Sequence, residues 1–153
     1  MSVEEKLASL GITLPTPTPP LANYVPVVRT GNLLFVSGQV SVDGAGKMTT
    51  GKLGAGMSAE EGAAAARLCA INILAQTKVA LGGDLEKVVR IVKLVGFVNS
   101  APDFIDHPKV INGCSDLLVE ALGDKGRHAR SAFGIAALPF GCAVEVEAVI
   151  EVA

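Results

Sequence analysis

Residues 129–152, ARSAFGIAALPFGCAVEVEAVIEV, decide how this chain folds. The second half of the stretch alternates. Val144, Val146, Ala148, Ile150 and Val152 fall on one side of an extended backbone, and Glu145, Glu147 and Glu151 fall on the other. That pattern predicts a strand over 142–152 with one face in a core and acids on the opposite face. A second strand is predicted over 131–137, with Leu138-Pro139-Phe140-Gly141 as the connection. Arg130 stands at the head of this unit. A cation against an apolar strand, followed by a row of carboxylates, asks for a chemical explanation.

Upstream, Pro108 predicts the start of a helix, because proline suits a first turn. Val110, Ile111, Cys114, Leu117, Leu118 and Ala121 make its apolar face, and Gly123 ends it. Residues 87–98, KVVRIVKLVGFV, are β-branched with little polar interruption, the pattern of a strand covered on both faces. Ser58 and Glu61 form a capping box for an Ala-rich helix running to about Leu81 and stopped by Gly82-Gly83. Ala64, Leu68, Ile71, Ala75 and Val79 are its predicted buried stripe. Residues 41–57 are Gly-rich and predict a loop. Their GAGK segment misses a phosphate loop at both ends, with Ser41 in place of glycine and Met48 in place of Ser or Thr. VPVVR and LLFVSGQV predict two strands about the turn Thr30-Gly31-Asn32. Before them, residues 1–20 predict an arm, a short helix capped by Ser2 and Glu5 and then an extended PTPTPP run; residues 21–153 form the domain proper. The order β-β-α-β-α-β-β predicts an α+β fold with a mixed sheet and two helices packed on one face. The other face needs a cover, and a neighbouring subunit is the simplest one.

Composition narrows the function. Half of the 153 residues are hydrophobic, aromatics are 4 %, and formal net charge is −2. A chain so short of polar surface predicts burial between subunits. No basic run and few stacking platforms argue against nucleic-acid binding. No stretch approaches the roughly 18–20 apolar residues of a membrane span, and the acidic start is unlike a signal peptide. Cys69, Cys114 and Cys142 lack C-x-x-C spacing, which predicts reduced thiols in a cytoplasmic protein rather than a zinc site. Asp103, Asp106 and His107 look metal-like, but acids before a helix are ordinarily caps.

Three segments together carry a resemblance: 23–40 (NYVPVVRTGNLLFVSGQV), 81–98 (LGGDLEKVVRIVKLVGFV) and 129–149 (ARSAFGIAALPFGCAVEVEAV). They resemble the RidA (YjgF-like) reactive-intermediate deaminases from about Leu21 onward. The most specific parts are the R-S…L-P…V-E-V-E pattern from Arg130 to Glu147 and S-G-Q at 37–39. The resemblance implies a chorismate-mutase-like fold assembled as a homotrimer, with clefts at the subunit boundaries. It implies hydrolysis of 2-enamine and 2-imino acids to 2-oxo acids and ammonia, without a metal or organic cofactor. By position, Arg130 matches the arginine that grips the substrate carboxylate and Glu145 the acid that holds the attacking water. Tyr24 and Ser37 match cleft-lining residues and Gly38 a backbone contact. Two positions depart from the pattern: Ala132 replaces a cysteine found in many relatives, and Pro102 stands where many have a cleft asparagine.

The chemistry suits these residue types. Guanidinium pairs with a carboxylate through two parallel hydrogen bonds, fixing orientation as well as charge. A carboxylate within reach of water orients it toward the protonated imine carbon and accepts its proton. Each residue also has a plainer role: Arg130 in an ion pair, Glu145 as a solvated acid, Glu147 in an interface pair, Tyr24 in packing, Ser37 at a strand end. His128, two residues before Arg130, is either a proton-transfer group or a loop histidine. Two functions compete. One is a non-catalytic sensor of small carboxylates at the same cleft. The other is ribonuclease action, a label attached to parts of this family. It is disfavoured here because the sequence offers no histidine pair arranged for RNA cleavage and no basic channel.

Overall fold

Ser2 starts the first element. Its hydroxyl accepts from the Glu5 amide while the Glu5 carboxylate accepts from the Ser2 amide, the reciprocal cap of helix α1 (Val3–Ser9). In the computed structural model, which describes residues 1–19 and 22–153, α1 sinks Leu7 fully into the core. The Val3 amide donates to Glu86 Oε1 at 2.6 Å, and Glu4 pairs with Lys78 at 3.0 Å, so the helix is tied down at its start. Residues 15–19 continue as irregular chain; Pro20, the end of the predicted arm, lies outside the described residues.

Strands β1 (Val27–Thr30) and β2 (Leu33–Val40) form the expected hairpin, its turn bent through Gly31 at φ 56°. The Gly-rich segment after it is more ordered than a plain loop: β3 (Lys52–Leu53) and β4 (Gly56–Met57) pair in a short two-stranded ladder. The amides of Ala45 and Lys47 both donate to Asp43 Oδ1, so the GAGK turn is closed by the side chain that precedes it.

Helix α2 (Ala59–Ala80) carries the predicted capping box. Its buried face corrects the predicted stripe. Ala65, Ala66, Cys69, Ala70, Ile73, Leu74 and Thr77 are buried, whereas Ala64 is exposed, Leu68 and Ile71 are half-buried and Val79 is 62 % exposed; of the five expected residues only Ala75 is buried. Alanines lie on every side of this helix, so the hydrophobic pattern has little direction of its own. Helix α3 (His107–Leu122) has the opposite character, and all six predicted apolar residues are buried. Gly113 makes the helix pair close: a Cβ there would run into the Ala63 backbone carbonyl of α2. Asp106 occupies the position before α3 without capping it, and its carboxylate lies 4.0 Å from Lys109.

Strand β5 (Val88–Asn99) follows α2, and β6 (Ala129–Ile135) and β7 (Val144–Val152) follow α3, the last two beginning two residues either side of their predicted starts. The sheet runs β1-β2-β7-β5-β6, with β5 and β6 parallel and the other pairs antiparallel. This is the expected α+β fold with a mixed sheet. Val144, Val146, Ala148, Ile150 and Val152 all face the core, as their alternation predicted. The β5 expectation is corrected within a single chain. Its inward side is buried beneath the helices, but Val89 and Val92 are exposed by 41 % and 36 %. Val28, Phe35 and Phe133 are likewise exposed, by 44–52 %. The sheet therefore has one helix-covered face and one open apolar face.

Candidate active site

The two faces of the sheet sort the candidate residues. Arg130 is the register partner of Leu94, and Ala132 of Gly96, on the side under α3. Glu145 is the register partner of Phe97, on the open side. Residues in register across neighbouring strands share a face. One chain therefore brings Glu145 together with Gly38 and Ser37, and keeps Arg130 with Ala132 on the reverse.

On the open side, β2 changes register. Val36 pairs with Ala148 and Gln39 with Val146, so Ser37 and Gly38 together oppose the single residue Glu147. This is a β-bulge, an irregularity that re-aims backbone and side chains beside functional sites. Ser37 is held there by its amide and its hydroxyl, which donate to the Pro26 carbonyl at 2.9 and 3.0 Å. A Cβ on Gly38 would collide with the Glu145 carboxylate, so only glycine leaves that acid its place. Burial, and after it the neighbouring Glu147, push the Glu145 carboxyl above its ordinary value, which makes it a better proton acceptor once ionised. Tyr24 stands nearby in sequence and is 56 % exposed.

On the helix side, β6 is an edge strand and Arg130 leans toward α3. Its Nη1 donates to Asn112 Oδ1 at 2.8 Å and to Ser115 Oγ at 3.1 Å. Both acceptors are neutral, and among the described residues no carboxylate pairs with this guanidinium; the other ion pairs are Arg67–Glu120, Lys78–Glu4, Lys109–Asp106 and Arg127–Asp124. The charge is thus held in place yet left uncompensated, as an anion receptor requires. Asn112 and Ser115 were not foreseen. The available signal was a polar pair three residues apart flanking Cys114 on an otherwise apolar helix. The thiol of Cys114 is buried and pushed up to about 12, chiefly by desolvation, which makes it inert.

His128 and His107 are separate. His128 lies 2.9 Å from Ser115 through Nε2 and 2.6 Å from the Gly126 carbonyl through Nδ1. His107 lies 3.2 Å from Ser100 Oγ and packs edge-on against Phe104. Among the described residues no group of three or more His, Cys, Asp or Glu could hold a metal, and Asp103, Asp106 and His107 do not converge.

The sequence signature of the family described as "YjgF/chorismate_mutase-like, putative endoribonuclease" matches residues 4–151. This chain belongs to the YjgF/RidA-like family. Protein TCP17 of Trypanosoma cruzi is 49 % identical over 97 % of this chain and 93 % of its own. The crystal structure of protein Atu1372 of Agrobacterium tumefaciens, of unknown function, superposes with a TM-score of 0.92 at 49 % identity, covering 99 % of this chain and 94 % of that one. RidA from a Psychrobacter species superposes less completely, at 0.62 with 26 % identity over 92 % and 97 % of the two chains. Within the YjgF/RidA-like family the chain is thus nearer in shape to the first structure than to RidA. Among the described residues no helix is long and apolar enough to cross a membrane.

Proposed function

We propose that this protein hydrolyses reactive 2-enamine and 2-imino acids to 2-oxo acids and ammonia, in a site completed by two copies of the chain. The uncompensated Arg130 guanidinium is the observation that carries the reading. In the proposed cycle its fork holds the substrate carboxylate, which fixes the imine carbon in space. Glu145 orients a water and accepts its proton as the oxygen adds to the protonated C=N carbon. The resulting carbinolamine takes a proton on nitrogen, its C–N bond breaks, and the C=O forms. One water is consumed, and one 2-oxo acid and one ammonium ion are released. Gly38 and Ser37 line the Glu145 half of the site, with Tyr24 at its rim, while Ala132 floors the Arg130 half.

Because Arg130 and Glu145 lie on opposite faces of one sheet, joining them requires a second copy. The open apolar face, with a groove of about 410 Å³ lined by Val28, Phe35, Val95 and Val149 among others, supports such an assembly, and a homotrimer is the form this reading takes. The test couples an enamine-generating dehydratase or oxidase to the protein and follows release of 2-oxo acid. Arg130→Ala should lower kcat/KM about a hundredfold, since it removes two charge-assisted bonds, and Arg130→Lys should restore only part. Full activity in Arg130→Ala defeats the proposal.

Ala132 and Pro102 favour a second reading, a sensor that binds small carboxylates without turnover. It predicts saturable binding of 2-oxo acids, lost in Arg130→Ala, with no acceleration of imine hydrolysis. Ribonuclease action draws no comparable support. The chain's two histidines bond to Ser100 and to Ser115 with Gly126 rather than to each other, and 13 basic residues stand against 15 acidic ones.

A further inference from the structure

The hold on Arg130 extends one residue beyond those it touches. A carbonyl oxygen only accepts, so the 2.6 Å contact between His128 Nδ1 and the Gly126 carbonyl places a proton on Nδ1. In the neutral ring Nε2 is then an acceptor. At 2.9 Å from it, the Ser115 hydroxyl must donate, which turns its lone pairs toward Arg130 Nη1 at 3.1 Å. Every bond in the row has one direction: Arg130 gives to Ser115, Ser115 to His128, and His128 to Gly126. No carboxylate enters it, so the guanidinium is aimed without being neutralised.

We propose that Ser115 and His128 are positioning residues of the carboxylate grip, with His128 fixing the Ser115 hydroxyl and Ser115 fixing the Arg130 fork. The inference rests on the reading of Arg130 as the group that binds substrate carboxylate. It has a proton-linked consequence. Protonating Nε2 would reverse the Ser115 bond and set a second cation beside the guanidinium. Burial first, and with it the Arg130 charge, lower the proton affinity of the ring, against the opposing pull of the Gly126 carbonyl. An anion bound on Arg130 cancels the second of these, so binding raises the proton affinity of His128, and protonated His128 in turn favours the anion.

Other charges nearby are otherwise engaged or do not act on this ring. Asp124 and Arg127 of the preceding turn pair with each other, and Glu120 of α3 pairs with Arg67. Asp116 of α3 and Lys125 of the turn are exposed, and Lys93 of β5 shares the opposite sheet face with its partner Ala129.

The test uses pyruvate as the probe on the full chain. Nitrogen-detected NMR of the unaltered protein should report the Nδ1–H tautomer of His128, with a titration midpoint that rises when pyruvate is added. Calorimetry should show pyruvate binding weakened roughly three- to tenfold in Ser115→Ala and recovered in Ser115→Thr, which restores the hydroxyl. The NMR experiment needs no variant, so it decides even where a substitution impairs folding. Unchanged affinity in Ser115→Ala, or a His128 midpoint indifferent to saturating pyruvate, overturns the inference while leaving Arg130 as the grip. Wild-type affinity in Arg130→Ala overturns both.

Discussion

Gly38 lies beneath the Glu145 carboxylate at the β2 bulge, where a methyl group has no room. Because that carboxylate is the end of a flexible side chain, Gly38→Ala should displace it rather than unfold the sheet. The expected outcome is a kcat/KM loss of roughly a hundredfold with little change in the thermal midpoint, read by imine hydrolysis and calorimetry. A second prediction concerns pH. Burial first and Glu147 second hold the Glu145 carboxyl high, and a proton acceptor must be ionised, so activity should rise with pH through that raised value. Glu147→Gln removes the second cause and should move the acid limb of kcat/KM to lower pH; a limb that stays put belongs to another group. The stability sign is opposite to that of a paired acid. A raised carboxyl favours the folded state below its unfolded pKa, and that advantage is lost as pH rises through the folded value. At pH 7, Glu145→Gln should therefore be at least as resistant to urea as the parent.

Between elements, Gly113 of α3 lies against the Ala63 carbonyl of α2 with no room for a Cβ. Helix propensity alone would make alanine better than glycine here by about 1 kcal/mol. Forcing a methyl group onto a neighbouring backbone costs about 1–3 kcal/mol and also levers the helices apart. Spacing should win, so Gly113→Ala is expected to lose up to about 2 kcal/mol in urea unfolding. A gain would mean that the helices have slack. This contact also shows what the sequence makes legible. The caps at Ser2 and Ser58, the α3 face and the β7 alternation rest on local chemistry and could be read directly. The buried side of α2 could not, because an alanine-rich helix is positioned by what its partner admits. The bulge at Ser37-Gly38 was equally hidden, since register is settled by β7, more than a hundred residues away. The candidate site divided along the same line: Arg130, Glu145 and Gly38 stood out through motifs, whereas Asn112 and Ser115 gain meaning only when α3 lies beside β6.

At the scale of the molecule, the separation of Arg130 and Glu145 by a sheet makes the proposed assembly open to a mixing experiment. Arg130→Ala and Glu145→Gln chains should each be strongly impaired, the first by about a hundredfold in kcat/KM. Unfolded together and refolded, they should regain activity at about a quarter of the sites, where an intact arginine meets an intact glutamate across a boundary. A double variant mixed with itself should regain none. Failure of the two single variants to rescue each other would place both groups in one protomer's reaction and remove the need for a partner. Phe35→Glu, on the open face, should yield a smaller species by sedimentation and lose turnover with it.

The strand order carries one more consequence. β7 is paired on both sides, by β2 and by β5, yet it follows every other strand along the chain. As the polypeptide is synthesised, the β1–β2 hairpin and the β5–α3–β6 unit exist before anything can join them. Each then presents a bare strand edge to the cell, and pairings this distant in sequence form slowly. A nascent chain of this protein is thus expected to meet chaperones before the centre of its sheet has emerged, and slowed translation through residues 144–152 would lengthen that exposure.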